Sequence, residues 1–81
     1  MPFPTLSPGQ FAVAQAEVDT GIVLTTDGEH RYRGNGEMYR VFGSLDAARS
    51  FTRSVVSARP GVECGIYSSD GTRVERITAE T

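Results

Sequence analysis

The sequence has few of the side chains that metal sites and disulfide bridges need. It contains one cysteine, Cys64, one histidine, His30, no tryptophan and no lysine, so all eight basic side chains are arginines. A single cysteine cannot form an intrachain disulfide, and one cysteine with one histidine cannot complete a structural zinc site. We therefore expect no metal, no cofactor and a reducing compartment.

Long apolar runs and an excess of basic charge are also missing. The longest aliphatic run, residues 22–24, is far shorter than a membrane span, and the first ten residues lack the pattern of a secretion signal. The formal net charge of −2 provides no basic field for non-specific nucleic-acid binding. The use of arginine in place of lysine is typical of a GC-rich bacterium, and we expect a cytoplasmic bacterial protein.

The length of the chain bounds what it can enclose. A domain of 81 residues buries only about 60–65% of the surface that its unfolded chain exposes, which leaves little room for an enclosed active site. We therefore expect a surface site and no catalytic residue. The predicted organisation is a flexible N-terminal arm (1–10), a single α+β domain (11–78) and a short tail (79–81).

Short alternating segments between turn residues predict strands along most of the chain. Phe11 and Val13 alternate with alanines, which favours a strand, although Ser7, Pro8 and Gln10 also match a helix start, so residues 8–18 are open to both interpretations. Glycine-containing turns at 27–28, 34–36 and 69–71 separate the later segments. Further strands are predicted at 22–26, 29–33, 37–42, 62–67 and 72–77.

One amphipathic helix is predicted over residues 44–59. Ser44 is suited to cap its first turn, and Pro60-Gly61 ends it. Apolar side chains form one stripe at three- and four-residue spacing: Leu45, Ala48, Phe51, Val55 and Ala58. The sequence thus predicts an α+β fold, with a small, mostly antiparallel sheet, one helix packed on one face, and the order β-β-β-β-α-β-β.

The segment Val18-Asp19-Thr20-Gly21-Ile22 is the most enzyme-like part of the sequence. Asp-Thr-Gly between apolar residues resembles the active-site turn of aspartic proteases, whose dimeric retroviral-type members take one carboxylate from each subunit. The resemblance is confined to these five residues. That family usually has Ala or Ser where this chain has Ile22, and its later apolar-apolar-Gly segment is missing here. The resemblance implies a remote alternative, a dimeric enzyme that uses Asp19.

Cys64 and His30 are the other candidates for a nucleophile and a base. Cys64 lies between apolar neighbours in a predicted strand, a setting that raises the pKa of a thiol, so we interpret it as a buried structural residue. His30 lies at the shoulder of a predicted hairpin without a carboxylate on the same strand face to orient it. We interpret His30 as a surface residue.

Residues 31–40, RYRGNGEMYR, concentrate arginine and tyrosine. Arg31, Tyr32 and Arg33 can pair with phosphates and stack on bases, as the strand residues of sheet-based RNA binders do. The glycines do not complete a dinucleotide-binding fingerprint, because Tyr39 stands where the third glycine would fall. Binding of a nucleic acid or another anion through this cluster is an alternative to protein–protein contact.

The face of the sheet that the helix leaves uncovered is the predicted functional site. One helix covers only one face of the sheet, and apolar side chains on the other face form an exposed patch of the kind that a partner usually covers. We predict a non-enzymatic protein that acts by protein–protein contact at this face, either as a homodimer or with an adaptor or regulatory partner. The predicted contact residues are Tyr39, Arg40, Glu63 and Tyr67, a mixture of types that interfaces enrich.

The alternation around position 40 leaves two arrangements open. In the preferred one, Met38, Arg40 and Phe42 lie on the uncovered face. In the other, Met38 and Phe42 belong to the core, and Tyr39 and Val41 point away from the helix.

Overall fold

A computed structural model of the protein describes residues 3–26, 31–32 and 38–79. The elements in these residues are, in chain order, β1 (Phe11–Glu17), β2 (Tyr39–Phe42), α1 (Leu45–Ala58), β3 (Val62–Tyr67) and β4 (Arg73–Ile77). The four strands form one antiparallel sheet in the order β2-β1-β3-β4, and α1 packs on one face of it. The predicted α+β fold class is confirmed.

The residues that resemble a helix start before β1 form a tight turn. The N–H of Gln10 donates to the carbonyl of Ser7 at 3.0 Å, and Gly9 has a φ of +89°. Proline followed by a glycine of positive φ is the pattern of a type II turn, which other residues adopt only with strain. The strand interpretation of β1 is therefore confirmed, and the turn reverses the chain before the strand begins.

The two strands predicted between residues 22 and 33 form only isolated bridges in the part of the chain that the structure describes. Val23 pairs with Ala16, and Leu24 pairs with Arg31. The N–H of Tyr32 donates to the carbonyl of Val23 at 2.7 Å, so the two segments do lie side by side. The turns predicted at 27–28 and 34–36 lie outside the described residues, as do His30 and Arg33.

Helix α1 forms almost where the sequence predicts it. The hydroxyl of Ser44 accepts a hydrogen bond from the N–H of Ala47 at 3.1 Å, which satisfies a free amide of the first turn. At the other end, the N–H of Arg59 donates to the carbonyl of Val55 at 2.9 Å. The predicted bounds, 44–59, exceed the helix by one residue at each end because the two cap residues are not themselves helical.

The core lies between α1 and the two central strands. Its buried residues are Val13, Ala48, Val56, Cys64 and Ile66. Thr52 is also fully buried, and its hydroxyl donates to the carbonyl of Arg49 at 3.0 Å, so its burial leaves no unsatisfied polar group. At the edge of the sheet, Arg49 binds Glu75 of β4 at 2.7 Å and so connects the helix to that strand. No helix in the described residues is long and apolar enough to cross a bilayer.

Candidate protein-binding face

Side chains of the sheet alternate between a face covered by α1 and a face without a helix. The pairing register places Val13, Cys64 and Ile66 together on the covered side, which is why all three are buried. We call the opposite side the open face. It is defined by Ala12, Ala14, Ala16, Tyr39, Val41, Glu63, Gly65, Tyr67, Arg73 and Arg76.

The predicted alternation of β3 is confirmed. Cys64 and Ile66 are buried under the helix, and Glu63 and Tyr67 lie on the open face with Gly65 between them. Three of the four predicted contact residues, Tyr39, Glu63 and Tyr67, therefore lie on one surface.

Arg40, the fourth predicted contact residue, lies on the other side of the sheet. It pairs in register with Val13, and its guanidinium lies 4.9 Å from the ring centre of Phe51 in α1. Phe42 lies on the same side, with its ring centre 5.1 Å from that of Phe51. The preferred assignment of Arg40 and Phe42 to the open face is wrong. The physical reason is that burial of the Phe42 ring against the helix outweighs burial of Val41, and side chains two residues apart share a face.

An aromatic cluster lies on the open face. The ring centres of Tyr39 and Tyr67 are 6.0 Å apart and nearly perpendicular, at 89°. Phe3 of the N-terminal arm completes the cluster, with its ring centre 5.2 Å from Tyr39 and 6.0 Å from Tyr67. Edge-to-face contacts at these distances are favourable because the positive ring edge meets the negative ring face. Burial, with a smaller contribution from Tyr67, raises the pKa of the Tyr39 hydroxyl.

Small residues form the floor beneath these rings. Ala12 pairs with Tyr67, Ala14 pairs with both Tyr39 and Gly65, and Ala12 is completely buried although no helix covers it. A Cβ atom at Gly65 would lie 3.0 Å from Cε1 of Tyr67, so the tyrosine ring leans directly over this glycine. The result is a shallow groove of about 320 Å³ that Tyr39, Tyr67 and the charged side chains of β3 and β4 line.

The charged side of this groove carries more positive than negative charge. The guanidinium of Arg76 donates to both carboxylate oxygens of Glu63, from Nε at 2.6 Å and from Nη2 at 3.1 Å. This hydrogen bonding, together with the nearby charges of Arg76 and Arg73, lowers the pKa of the Glu63 carboxyl. Two arginines therefore accompany one glutamate at the edge of the groove.

The arginines and tyrosines of residues 31–40 do not share one surface in the described part of the chain. Arg31 binds Glu17 through Nε at 3.0 Å and Nη2 at 3.1 Å, and this pair lowers the pKa of Glu17. Tyr32 is half-buried, and Tyr39 and Arg40 lie on opposite faces of the sheet. The nucleic-acid alternative stays a prediction, which salt-sensitive retention on single-stranded RNA would test.

The Asp19 segment forms the exposed turn after β1. The hydroxyl of Thr20 donates to the Glu17 carboxylate at 2.7 Å and accepts from the N–H of Ile22 at 3.2 Å. Gly21 has a φ of +73°, and its N–H donates to the Glu17 carbonyl at 2.8 Å. Threonine and glycine thus have local roles in the turn, while Asp19 is exposed. The enzyme alternative stays a prediction.

Cys64 lies in the core with 1% of its surface exposed. Burial raises the pKa of its thiol to about 11, with a smaller contribution from the charge of Glu63. The predicted buried position and raised pKa are confirmed. Within the described residues, no group of three or more His, Cys, Asp or Glu side chains could hold a metal ion.

Phe3 belongs to this face although the sequence pattern does not indicate it. The segment before Phe11 is rich in proline, a composition that predicts a flexible arm. The signal that points to Phe3 is the Ser7-Pro8-Gly9-Gln10 turn, which folds an apolar segment back toward the sheet.

Comparisons with known proteins found no matching family, no similar curated protein and no similar solved structure.

Proposed function

We propose that the protein is a non-enzymatic binding domain that acts by contact between its open face and another protein. The observation that carries the proposal is the cluster of Phe3, Tyr39 and Tyr67 on the side of the sheet opposite α1. Aromatic side chains are enriched at the centres of protein interfaces, since each contributes a large apolar area with few rotatable bonds.

The form of the groove supports a protein segment as its occupant. Its floor is made of alanine and glycine, and its sides are aromatic rings and an arginine–glutamate pair. Such a surface offers apolar contact in the centre and polar contact at the rim, which is the usual anatomy of a protein interface.

The charge of the face favours a foreign partner over a second copy of the chain. Arg73 and Arg76 outnumber Glu63 on this surface, whereas the whole chain carries a formal charge of −2. Two copies packed face to face would bring like net charges together, which opposes association. A partner with acidic side chains around an apolar contact would complement the face.

The surroundings of the two candidate catalytic side chains support a non-enzymatic role. Asp19 lies in an exposed turn, and Cys64 is buried with a thiol of raised pKa, which disfavours the reactive thiolate. The single cysteine and the exclusive use of arginine support the proposed setting, the cytoplasm of a bacterium.

The proposal is tested with three full-length baits in lysate of the source cell: the natural protein, Tyr67→Ala and Tyr32→Ala. Tyr32→Ala is the matched control, since it removes a tyrosine that does not belong to the open face. We expect the natural bait and the control to capture the same protein, identified by mass spectrometry, and Tyr67→Ala to lose it. Titration calorimetry with that purified protein then measures direct binding.

Light scattering on the natural protein separates the remaining outcomes. A dimer that Tyr67→Ala dissociates would assign the face to a second copy and overturn the foreign partner. Capture that is equal for Tyr67→Ala and Tyr32→Ala, or no capture at all, would overturn the open face as the binding site. Far-UV circular dichroism of each bait shows whether loss of capture is caused by loss of fold. Gly65→Ala, which disturbs the Tyr67 ring without removing it, is a second variant of the same site.

A further inference from the structure

The open face of this chain already holds a peptide segment, which is the chain's own N-terminal arm. The Phe3 ring meets both Tyr39 and Tyr67 edge to face, at 5.2 and 6.0 Å. Phe3, Pro4 and Leu6 are half-buried, while Thr5 between them is exposed. The arm therefore lies on the protein through some of its side chains and leaves others in solvent.

The turn before β1 directs the arm to this position. The N–H of Ser7 donates to the side-chain oxygen of Gln10 at 2.8 Å, and the N–H of Gln10 donates back to the carbonyl of Ser7 at 3.0 Å. These two hydrogen bonds and the positive φ of Gly9 fold the arm back along the sheet that follows. The arm is thus held by the hydrogen-bonded turn at residues 7–10 and by the aromatic contacts of Phe3.

The arm is not held by a strand ladder. In the described part of the chain, no backbone hydrogen bond joins residues 3–6 to a strand. The arm contacts the sheet through side chains, and in the sequence a proline stands on either side of its aromatic anchor, a composition that aromatic grooves recognise in polyproline II segments. Prolines fit such a site because proline has no backbone N–H, and a segment that is not paired as a strand does not need one for a hydrogen bond.

We propose that the arm is an internal stand-in for the natural ligand of the open face. The ligand is an extended segment of a partner protein in which an aromatic side chain is followed by proline, as Phe3 is followed by Pro4 in the arm. This segment takes the place of Phe3 against the Tyr39 and Tyr67 rings, so the arm competes with it. The inference rests on the proposed function and deepens it, since it names the chemistry of the partner.

The test uses a synthetic peptide of residues 1–10, MPFPTLSPGQ, as the probe. The peptide is titrated to millimolar concentration into ¹⁵N-labelled full-length protein, either natural or with Phe3→Ala. We expect the amide signals of Tyr39, Gly65 and Tyr67 to shift in the Phe3→Ala protein. A peptide in which its own phenylalanine is replaced by alanine is expected to leave them unchanged.

Competition by the arm should make the affinity for the peptide lower in the natural protein than in Phe3→Ala. A short linker keeps the arm at an effective concentration on the order of millimolar, so the natural protein should bind a peptide of about 0.1 mM affinity about tenfold more weakly than Phe3→Ala. Thr5→Ala, which changes an exposed position of the arm, is the matched control and should behave like the natural protein.

Two results would overturn the inference. The first is the absence of shifts in folded Phe3→Ala protein at millimolar peptide. The second is equal affinity of the peptide for the natural and Phe3→Ala proteins, because the arm would then not occupy the site. If either occurs while Tyr67-dependent capture of a partner persists, the proposed function stands and only the ligand chemistry is wrong; loss of that capture as well would remove the proposed function itself.

Discussion

Tyr39 and Tyr67 meet edge to face across an intervening strand. Tyr39 belongs to β2 and Tyr67 to β3, and β1 runs between them. Strands that are two positions apart in a sheet are separated by about 10 Å, whereas the two ring centres are 6.0 Å apart. The rings can lean together because β1 presents only alanine methyl groups beneath them, at Ala12 and Ala14.

This relationship explains two features of the sequence that lack a local cause. Gly65 is a poor strand residue, yet its missing side chain leaves room for the Tyr67 ring, which would come within 3.0 Å of a Cβ at this position. Ala12 and Ala14 are weak strand formers, but a larger side chain at either position would lie directly beneath the two tyrosine rings. The small residues thus create the groove that the aromatic rings enclose.

Gly65→Ala should disturb the groove without removing any side chain. The added Cβ would lie 3.0 Å from Cε1 of Tyr67, so the ring has to shift by a few tenths of an ångström, and we expect its contact with Tyr39 to weaken. Overpacking and loss of an aromatic pair outweigh the gain in strand propensity, and we expect the free energy of unfolding to fall by about 1 kcal/mol. Urea denaturation measures this change, and tyrosine ring NMR shifts report the new ring position.

Gly61→Ala is the control for that substitution, since nothing lies within 4 Å of a Cβ at Gly61 and its φ is not positive. Its stability should match that of the natural protein. Equal stability and unchanged ring shifts for Gly65→Ala would show that the Tyr67 ring does not depend on a glycine at this position.

Ser44→Ala should weaken the start of α1. The Ser44 hydroxyl accepts the N–H of Ala47 at 3.1 Å, and loss of such an N-cap costs about 1 kcal/mol. Ser44→Asp should retain most of the stability, because a carboxylate caps the same amide and also favours the positive end of the helix dipole. Thermal and urea unfolding of the two variants, compared with Ser50→Ala on the exposed side of the helix, measure the effect. A Ser44→Ala protein as stable as Ser50→Ala would contradict it.

The Glu63–Arg76 pair should make stability depend on acid pH. Because the pKa of Glu63 is lowered below its ordinary value of 4.5 in the folded protein, the pair stabilises the fold fully above that value. Its contribution is lost as the pH falls through the folded pKa. Arg76→Gln removes the largest cause of the shift, so the pKa of Glu63 should rise, and NMR titration of its side-chain carboxyl measures this.

Unfolding curves at several pH values complete that prediction. The difference in stability between the natural protein and Arg76→Gln should be largest above pH 4.5 and shrink below it. Arg53→Gln, on the exposed surface of α1, is the charge-matched control and should show a difference that does not follow the titration of Glu63. A pKa of Glu63 that is the same in all three proteins would refute the role of the pair.

Cys64 should be unreactive in the folded protein. Only 1% of its surface is exposed, and burial raises the pKa of its thiol to about 11, so the reactive thiolate is scarce near neutral pH. We expect slow reaction with a colorimetric disulfide reagent at pH 8 under native conditions, and rapid reaction of one thiol in denaturant. Rapid stoichiometric labelling of the native protein would mean that the core opens at Cys64.

Local signals in the sequence are sufficient to predict several elements. The serine cap and the Pro-Gly stop of α1 each act within about one turn of the helix, and the alternation of β3 is set by its own six residues. For the same reason, the alternation alone assigns Glu63 and Tyr67 to one face. The turn signal at residues 69–71, between β3 and β4, is equally local.

The two faces of β2 cannot be assigned from the sequence of the strand alone. Alternation predicts two sets of side chains, Tyr39 with Val41 and Arg40 with Phe42, but it does not say which set meets the helix. The contact between Phe42 and Phe51 decides this, and it joins two elements of the chain that only the folded state brings together. Arg40 then lies over the same phenylalanine ring and cannot serve the open face.

Local patterns in the sequence are sufficient to predict the fold class, the helix between its Ser44 cap and its Pro60-Gly61 stop, and the position of Glu63 and Tyr67 on one face of β3, because each of these depends mainly on residues close together in the chain. Contacts formed only in the folded chain place Tyr39, and not Arg40, on the open face, let the two tyrosines meet above the alanines of β1, and bring Phe3 of the arm against them. The physical reason is that each of these contacts joins residues far apart in the sequence, and such contacts depend on burial and shape, which the alternation of a single strand does not encode.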